Sequence, residues 1–325
     1  MTAPGSTVVD RDARVHVIGS INADTILTVS AFPTPGTTVI AKDSHPSLGG
    51  KGAAQAIACA RFGAQTRLTG SVGSDEEGRS ARAVLSGHGV ASDLVRESSL
   101  PTGRAYVYVD AHAENEIVVA QGANSDLNAL TQDDRDAIAH AQVMLTQLEA
   151  GTAIAFEAIR TAADRGVTVI LNAAPARDIP RDVLSRVDFL IVNEPEAVAL
   201  CRDAPDATAA GEKLAEAAGT VLVTLGAQGG RVHRRGQAPQ AVPALSVAPV
   251  DTTGAGDTAC GVFAAAIAFG WEPEEAFRIA LAAGSLSTTT QGNVPSIPDR
   301  DRILTAAAVH TRVVNRSAEE RGGNP

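Results

Sequence analysis

The chain has 325 residues, of which 44% are hydrophobic and 3% aromatic, and its formal net charge is −10. This hydrophobic content supports a sizeable core and excludes wholesale disorder, and the length fits one large α/β unit. The acidic balance and the scarcity of aromatic side chains argue against a nucleic-acid partner. A polyphosphate ligand would therefore need a metal ion or backbone dipoles to hold it.

Targeting signals and cysteine usage predict a soluble protein of the cytoplasm. Met1–Arg14 lacks the basic start and apolar run of a secretory signal, and the longest apolar run, Val262–Phe269, is too short to span a membrane. Cys59, Cys201 and Cys260 are far apart and form no C-x-x-C pair. We expect them to be reduced, buried thiols.

Short β-branched runs alternate with longer Ala-rich stretches along the chain. Strands are predicted at Val15–Ile18, Arg67–Gly70, Val143–Gln147, Val167–Leu171, Phe189–Val192 and Val221–Leu225. Helices are predicted at Ala53–Phe62, Glu76–Gly87, Thr152–Arg165, Glu194–Cys201 and Ala207–Ala218. Continuous apolar strands separated by helices are typical of a parallel sheet that is covered on both faces.

Two stretches depart from this alternation. Thr37–Lys42 and Gly103–Val119 have the mixed polarity of short strands and are joined without a helix. Tyr106–Val109 and Glu116–Val119, on either side of the polar loop Ala111–Asn115, predict an antiparallel hairpin. Strands that are separate from the main sheet often form a lid or an interface.

The segment Gly19–Asp24 follows the first predicted strand, and ligands bind at the carboxyl end of a parallel strand. Asn22 and Asp24 would offer an amide and a carboxylate two residues apart, which suits neighbouring hydroxyls of a sugar. An ordinary turn at the end of a strand explains the same residues, since Gly, Asn and Asp are all turn formers.

A glycine-rich segment, Leu48–Gly52, precedes an Ala-rich helix. It is not a Walker A loop, because His45 stands where that motif has Gly and Gly52 follows Lys51 where Ser or Thr belongs. Glycines at the start of a helix still let backbone N–H groups approach a ligand. A glycine-rich loop with a solvated lysine remains the alternative.

The segment Asp251–Asp257 leads into the apolar helix Thr258–Phe269. Successive small residues at the start of a helix create a group of N–H donors that can stabilise a transferring phosphoryl group. Asp257 would lie beside this anion site as a proton acceptor, or it could simply cap the helix. The run Gly254–Ala259 also fits the dinucleotide fingerprint G-x-G-x-x-A, although that motif usually belongs to the first βαβ unit.

Two weaker signals precede that segment. Asn193 and Glu196 follow a predicted strand and could serve Mg²⁺, or they could begin a helix with Pro195 at its first position. Thr224–Gly230 is a strand followed by a turn, which could close on a nucleotide or form a hairpin. No G-x-S-x-G or H-E-x-x-H motif is present.

In combination, these segments resemble the ribokinase branch of the PfkB sugar kinase family, from about Val15 to Ile303. The segments that carry the resemblance, in the family's order, are Gly19–Asp24, Phe32–Gly36, Gly49–Ala53, Gln121–Asn124, Gln147–Glu149, Asn172–Ala176, Asn193–Glu196, Asp251–Asp257 and Gly292–Ser296. The resemblance implies a three-layer ribokinase-like α/β fold with a mainly parallel central sheet flanked by helices, plus a small β-sheet lid.

The resemblance also implies one kinase domain over residues 14–312, with lid strands from about 20–45 and 103–121. The tails 1–13 and 317–325 are expected to be flexible. In ribokinases the lid also holds a second subunit, so a homodimer is expected.

The roles that the resemblance implies fall into four groups. Sugar hydroxyls are held by Asn22, Asp24, Gly50, Lys51 and Glu149, while Asp257 is the catalytic base beside an anion hole of the amides of Thr253, Gly254, Ala255 and Gly256. ATP and ADP contact Asn193, Thr224, Gly226 and Gly256. Glu196, with Asn193, organises Mg²⁺ through water, and the potassium loop contains Asp251, Thr253, Ser287, Gly292 and Ser296.

Two positions depart from the family pattern. Ala54 replaces an asparagine that contacts the sugar, which removes a hydrogen bond worth about 1 kcal/mol. Leu281 replaces a polar residue near the adenine, where an apolar side chain can still pack on the base.

The expected activity is the ATP-dependent phosphorylation of D-ribose to D-ribose 5-phosphate, with Mg²⁺ and K⁺. The nearest alternative changes the acceptor to another pentose, a deoxypentose or a nucleoside. An NAD-binding oxidoreductase would need an early glycine fingerprint, which Val17–Asn22 does not provide. A non-catalytic sugar or nucleotide sensor would be expected to have lost Asp257 or the anion-hole glycines.

Overall fold

The structure, a computed structural model, describes residues 12–110 and 115–309. The strands are β1 (Arg14–Ile18), β2 (Asn22–Thr28), β3 (Asp43–Gly49), β4 (Gln65–Gly73), β5 (Val90–Ala91), β6 (Val95–Ser98), β7 (Arg104–Val109), β8 (Asn115–Ala120), β9 (Val143–Gln147), β10 (Thr168–Asn172), β11 (Phe189–Asn193), β12 (Thr220–Thr224), β13 (Gly230–Arg234) and β14 (Gln240–Val242). The helices are α1 (Lys51–Arg61), α2 (Glu76–Gly87), α3 (Gln132–His140), α4 (Thr152–Ala163), α5 (Arg181–Leu184), α6 (Glu194–Leu200), α7 (Ala207–Ala215), α8 (Ala255–Ala268), α9 (Pro273–Ser287) and α10 (Asn293–Ser296).

The main sheet has the strand order β14-β13-β12-β11-β10-β9-β1-β4-β5, and β6 also pairs with β4. The pairs from β12 through β11, β10, β9 and β1 to β4, and from β4 to β5 and β6, are parallel, whereas β13 and β14 are antiparallel. The carboxyl ends of β1, β9, β10, β11 and β12 therefore meet at one edge of the sheet.

Helices cover both faces of this sheet, and successive side chains of the central strands point to opposite faces. Leu145 and Ile170 lie in a core cluster with Phe263 of α8, whereas Met144 lies in a second cluster with Ile159 of α4. Both faces are buried, so the strands read as continuous apolar runs. The predicted three-layer architecture is confirmed.

A separate four-stranded sheet has the order β3-β2-β7-β8. The predicted hairpin is confirmed, since β7 and β8 pair antiparallel, while most of its loop, Ala111–Asn115, lies outside the described residues. The strand predicted at Thr37–Lys42 is wrong, because those residues are irregular and the strand is Asp43–Gly49. The strand is placed there by antiparallel pairing with β2, which aligns Asn22 with Gly49.

The predicted helices are present, with ends shifted by a few residues. The helix predicted at Thr258–Phe269 is α8, which begins three residues earlier at Ala255. The cysteines are free; Cys59 and Cys260 are buried, whereas Cys201 is only half-buried. Among the described residues, no helix is both long and apolar enough to cross a membrane. The predicted tails lie almost entirely outside the described residues.

Candidate active site

The proposed sugar residues Asn22 and Asp24 lie at the start of β2, directly after the carboxyl end of β1. They are therefore strand residues of the lid rather than part of a turn. Asn22 is buried, and the Asp24 carboxylate lies against Gly49, where a Cβ would overlap it. Asp24 Oδ1 is enclosed without a hydrogen-bond partner in the part of the chain described. A ligand hydroxyl could satisfy this acceptor.

The Asp24 carboxylate titrates far above its ordinary range. Burial raises its pKa from 3.8 to about 7, and the negative charge of Glu149 adds to this effect. A backbone hydrogen bond from Ala105 acts in the opposite direction. The Asp24 carboxyl group is therefore close to its protonation midpoint at neutral pH.

The start of α1 brings three segments together. Gly50 caps the helix with a φ of 85°, and a Cβ there would lie 2.7 Å from Ser20 O. Glu149 Oε2 accepts hydrogen bonds from Lys51 N at 3.0 Å and from Ser20 Oγ. One oxygen of Glu149 is thus held by the protein, which leaves the other for a ligand.

Lys51 stays charged although it is half-buried. The carboxylate of Asp257 raises the pKa of Lys51 more than burial lowers it, and Glu149 raises it further. The Lys51 ammonium group therefore remains protonated beside the carboxylates of Asp257 and Glu149.

Asp257 lies in the first turn of α8, whose N-cap is Gly254 with a φ of 74°. The side chain of Asp257 does not cap the helix; its Oδ1 accepts a hydrogen bond from Gln55 Nε2 at 2.8 Å. Burial raises the pKa of Asp257, whereas Lys51 and the Gln55 hydrogen bond lower it. Oδ2 has no hydrogen-bond partner among the described residues and is available to a substrate hydroxyl.

Gln55, which is buried in α1, is a site residue that was not predicted from the sequence. Gln55 Oε1 accepts from Gln147 Nε2 at 2.6 Å, and Gln55 Nε2 also donates to Asn172 Oδ1 at 3.1 Å. Gln147 and Asn172 end the neighbouring strands β9 and β10. This network could have been predicted from the sequence, because two neighbouring strands each end in a residue with an amide side chain.

The amides proposed for the anion hole are not equivalent. Thr253 N donates to Asp251 Oδ1 at 2.9 Å, and Ala255 N makes a long 3.3 Å bond to Thr252 O. The amides of Gly254 and Gly256 make no hydrogen bond within the described part of the chain. These two glycines therefore offer the free donors.

The residues proposed for the potassium loop lie on two segments that Asp251 joins. Asp251 Oδ2 accepts from Gly292 N at 2.8 Å, while its Oδ1 accepts from Thr253 N. The hydroxyls of Ser287 and Ser296 donate to carbonyls of their own turns, at 2.8 and 2.7 Å. Carbonyl, hydroxyl and carboxylate oxygens of this kind retain lone pairs that suit a hard cation.

Thr224 and Gly226 line a cavity of about 350 Å³ that also contacts Ala255, Gly256 and Leu281. Thr224 ends β12, and the following turn leads into β13 as an antiparallel hairpin. The prediction that Thr224–Gly230 forms a hairpin is therefore confirmed. The turn of this hairpin and the start of α8 line the same cavity. The apolar residue Leu281 is part of the lining of this cavity.

Asn193 and Glu196 form a capping box at the start of α6. Asn193 Oδ1 accepts from Glu196 N at 2.8 Å, and Glu196 Oε2 accepts from Asn193 N at 2.9 Å. Burial raises the pKa of Glu196, against a lowering by the Asn193 hydrogen bond and by Lys51. Glu196 Oε1 has no hydrogen-bond partner among the described residues. The described residues contain no group of three or more His, Cys, Asp or Glu side chains that could hold a metal ion.

Comparison with known proteins decides the family. Residues 12–300 match the family model described as pfkB family carbohydrate kinase. The chain belongs to this family. The G-x-G-x-x-A run accordingly opens α8 near the end of the chain and does not support a dinucleotide-binding oxidoreductase.

Relatives with ribokinase names cover most of the chain. The Haemophilus influenzae ribokinase is 36% identical over 295 residues, covering 89% of this chain and 96% of the relative. The Bacillus subtilis ribokinase is 36% identical over 296 residues, covering 89% and 97%. The structure of Arabidopsis thaliana ribokinase with ribose and ATP has a TM-score of 0.83 at 32% identity, covering 91% and 99%. A Burkholderia thailandensis nucleoside kinase, at 19% identity and a TM-score of 0.76, shares the fold alone.

Proposed function

We propose that the protein transfers the γ-phosphate of ATP to the 5-hydroxyl of D-ribose, giving ADP and D-ribose 5-phosphate. The observation that carries this proposal is the placement of Asp257. One oxygen of its carboxylate is fixed by Gln55, the other is free, and the helix on which it lies begins with the free amides of Gly254 and Gly256. Relatives named ribokinases, one of them solved with ribose and ATP, support ribose as the acceptor.

The sugar would lie among Asn22, Asp24, the Gly50–Lys51 backbone and Glu149. Asp24 and Glu149 would accept hydrogen bonds from sugar hydroxyls, and Asn22 adds an amide. Holding the sugar beside Asp257 supplies orientation, which is the main contribution a protein makes to phosphoryl transfer.

In the transfer step, the 5-hydroxyl oxygen forms a bond to the γ-phosphorus, and the bond from that phosphorus to the β–γ bridging oxygen breaks. The hydroxyl proton passes to Asp257 Oδ2, and the electron pair of the broken bond leaves with ADP. The amides of Gly254 and Gly256 would stabilise the charge on the transferring group. The nucleotide base would lie in the cavity lined by Thr224, Gly226 and Leu281.

Glu196 and Asn193 would orient the waters of a nucleotide-bound Mg²⁺, which when bound neutralises phosphate charge. Asp251, Thr253, Ser287, Gly292 and Ser296 would surround an activating K⁺. Because Asp251 also holds Thr253 N and Gly292 N, this loop fixes the entry to α8.

The lid sheet would hold a second subunit. Its edge strand β8 exposes the apolar side chains of Ile117, Val118 and Val119, which are 53%, 58% and 40% exposed. An apolar surface of this kind is typical of an interface. We place the active homodimer in the cytoplasm, with the main sheet and lid forming one kinase domain over residues 14–312.

One observation favours a second acceptor. Ala54 is fully buried beside the start of the sugar site and offers no hydrogen bond where family members have asparagine. Two kinds of acceptor would then compete with ribose. One is a sugar with one fewer hydroxyl group, such as 2-deoxyribose, and the other is a nucleoside.

The base role is tested with Asp257→Asn, which removes the proton acceptor and keeps the shape. We expect turnover to fall by about 10²–10⁴-fold, the range of general-base catalysis, while ribose binding measured by calorimetry stays within a few-fold of wild type. A variant with near wild-type turnover would remove Asp257 from the base role.

A further inference from the structure

Asn124 lies in a 3₁₀ turn, Gly122–Asp126, that follows the lid strand β8, and it is buried. Its Oδ1 accepts from Ile21 N at 2.9 Å, and its Nδ2 donates to Ile21 O at 3.1 Å. The same Nδ2 donates to Asn22 Oδ1 at 2.8 Å. A residue 102 positions along the chain thus contacts the amide of a sugar-site residue.

These contacts fix which way both amides face. A backbone N–H only donates and a backbone carbonyl only accepts, so the two bonds to Ile21 define the oxygen and nitrogen of Asn124. Because Asn124 Nδ2 is then the donor, Asn22 must turn its oxygen toward it. Asn22 Nδ2 therefore has no hydrogen-bond partner among the described residues. This nitrogen is not fully enclosed by the protein, so a ligand can reach it.

A glycine makes room for this contact. A Cβ at Gly103 would overlap Asn124 Nδ2 and would lie 2.6 Å from Asn22 Oδ1. Gly103 also forms an isolated β-bridge with Asn22, in which Gly103 O accepts a hydrogen bond from Ala23 N at 2.7 Å. The backbone of the lid therefore passes close to both amides at a position where only glycine fits.

We propose that Asn124 is a positioning residue that holds the Asn22 amide with its NH₂ group available to the sugar. The proposal rests on the proposed function, in which Asn22 contacts a sugar hydroxyl. Asp24 and Glu149 are carboxylates that accept hydrogen bonds, so Asn22 is the neutral donor among them. A sugar hydroxyl can accept from Asn22 and donate to a neighbouring carboxylate at the same time.

The test is Asn124→Asp, a change of almost no volume. One carboxylate oxygen can still accept from Ile21 N, but the other faces two acceptors, Ile21 O and Asn22 Oδ1. Asn22 is then driven to turn its NH₂ group toward Asp and to present its oxygen to the sugar. We expect the KM for ribose to rise about tenfold or more, the cost of an unpaired buried polar contact, while the KM for ATP changes less than about twofold.

A double-mutant cycle separates positioning from a general structural effect. In an Asn22→Ala background there is no amide to orient, so adding Asn124→Asp should raise the ribose KM by less than about twofold. KM does not depend on the fraction of folded enzyme, so partial loss of stability leaves this comparison intact. Asn128→Asp, the same change at an exposed asparagine four positions along, is the matched control and should leave both KM values unchanged.

Asn124→Ala is the second variant if Asn124→Asp does not accumulate as folded protein. It removes the donor without adding charge, and its effect on the ribose KM should also disappear in the Asn22→Ala background. The inference is overturned by an unchanged ribose KM in either Asn124 variant, or by an equal increase with and without the Asn22 amide. A wild-type protein that phosphorylates no sugar would instead overturn the proposed function.

Discussion

At the scale of single residues, neutral amides place the charged groups of the site. Gln55 Nε2 donates to the carboxylate of Asp257 and to Asn172 Oδ1. These bonds connect α1 to α8 and to the end of β10. An amide can hold a carboxylate without adding a charge of its own. The base is therefore fixed in direction while Lys51 remains its main electrostatic partner.

Gln55→Leu should lower turnover and shift its pH dependence. The Gln55 hydrogen bond lowers the pKa of Asp257, so its loss raises that pKa and moves the acid limb of the kcat profile to higher pH. We expect a fall in kcat of about tenfold at neutral pH, measured as initial rates across a pH series. Gln132→Leu, at an exposed glutamine of α3, is the control. An unshifted acid limb would contradict this role for Gln55.

Asp24→Asn should stabilise the protein at alkaline pH when no sugar is added, while weakening sugar binding. Between its ordinary pKa of 3.8 and its folded pKa of about 7, Asp24 binds more protons in the folded state than in the unfolded state. The stability due to this proton is fully present below pH 3.8 and is lost as the pH rises to about 7. Asparagine carries no such charge, so the variant avoids that loss.

We expect the Tm of Asp24→Asn in the absence of sugar to exceed that of wild type by roughly 3–6 °C in alkaline buffer, with the difference vanishing in acid. Thermal unfolding at several pH values measures this, with the exposed Asp43→Asn as control. A variant less stable than wild type in alkaline buffer would show that the Asp24 charge is not a cost to the fold.

At the scale of elements, five parallel strand ends and the start of α8 assemble the site. Much of this follows from local sequence patterns, because buried parallel strands are continuous apolar runs and the glycine-rich segments precede helices. The helix α3 was also open to prediction, since Thr131 and Asp134 form a capping box that is visible as T-x-x-D. α9, with Pro273 at its start and acids in its first turn, carries a similar signal.

Other elements could not be predicted from local patterns. β3 is placed by pairing with β2 across the lid, so the polarity of Thr37–Lys42 was misleading. Gln55 and Asp257 are 202 positions apart, and Asn124 and Asn22 are 102 apart. Contacts over such separations depend on the complete topology, which single-sequence patterns do not contain.

Asp251 accepts hydrogen bonds from Thr253 N and Gly292 N and so joins the two segments of the proposed potassium loop. This arrangement predicts activation by a monovalent cation. Turnover should be several-fold faster in KCl than in NaCl at equal ionic strength, because a bound K⁺ would complete the loop that leads into α8. Asp251→Ala should lower kcat and abolish the difference between the salts. Equal wild-type rates in both salts would remove the cation role from these residues.

The exposed apolar strand β8 predicts dimerisation through the lid. Val118→Asp introduces a charge at a side chain that is 58% exposed and paired across the lid with Tyr106. Sedimentation velocity should show a dimer for wild type and a shift to monomer for the variant. Val309→Asp, at an exposed valine distant in sequence from the lid, is the control. A variant that remains dimeric would place the interface elsewhere.

At the scale of the whole molecule, a chain with a net charge of −10 would have to hold the polyphosphate of ATP, which is itself negatively charged. Lys51, the free amides at the start of α8 and a metal ion carried with the nucleotide would provide the positive potential locally. The lid sheet carries Asn22 and Asp24, so in the proposed reaction its position relative to the main sheet would decide whether the sugar is held and water is excluded.

The most direct test of the account is ADP release in the presence of ATP, Mg²⁺ and K⁺ across D-ribose, 2-deoxyribose, arabinose, fructose and several nucleosides. The account predicts a clear preference for D-ribose, with ribose 5-phosphate as the product, which would show that Ala54 is a tolerated change in the sugar site. Ribose left unphosphorylated while another acceptor is turned over would contradict it and would identify Ala54 as the position that changes specificity.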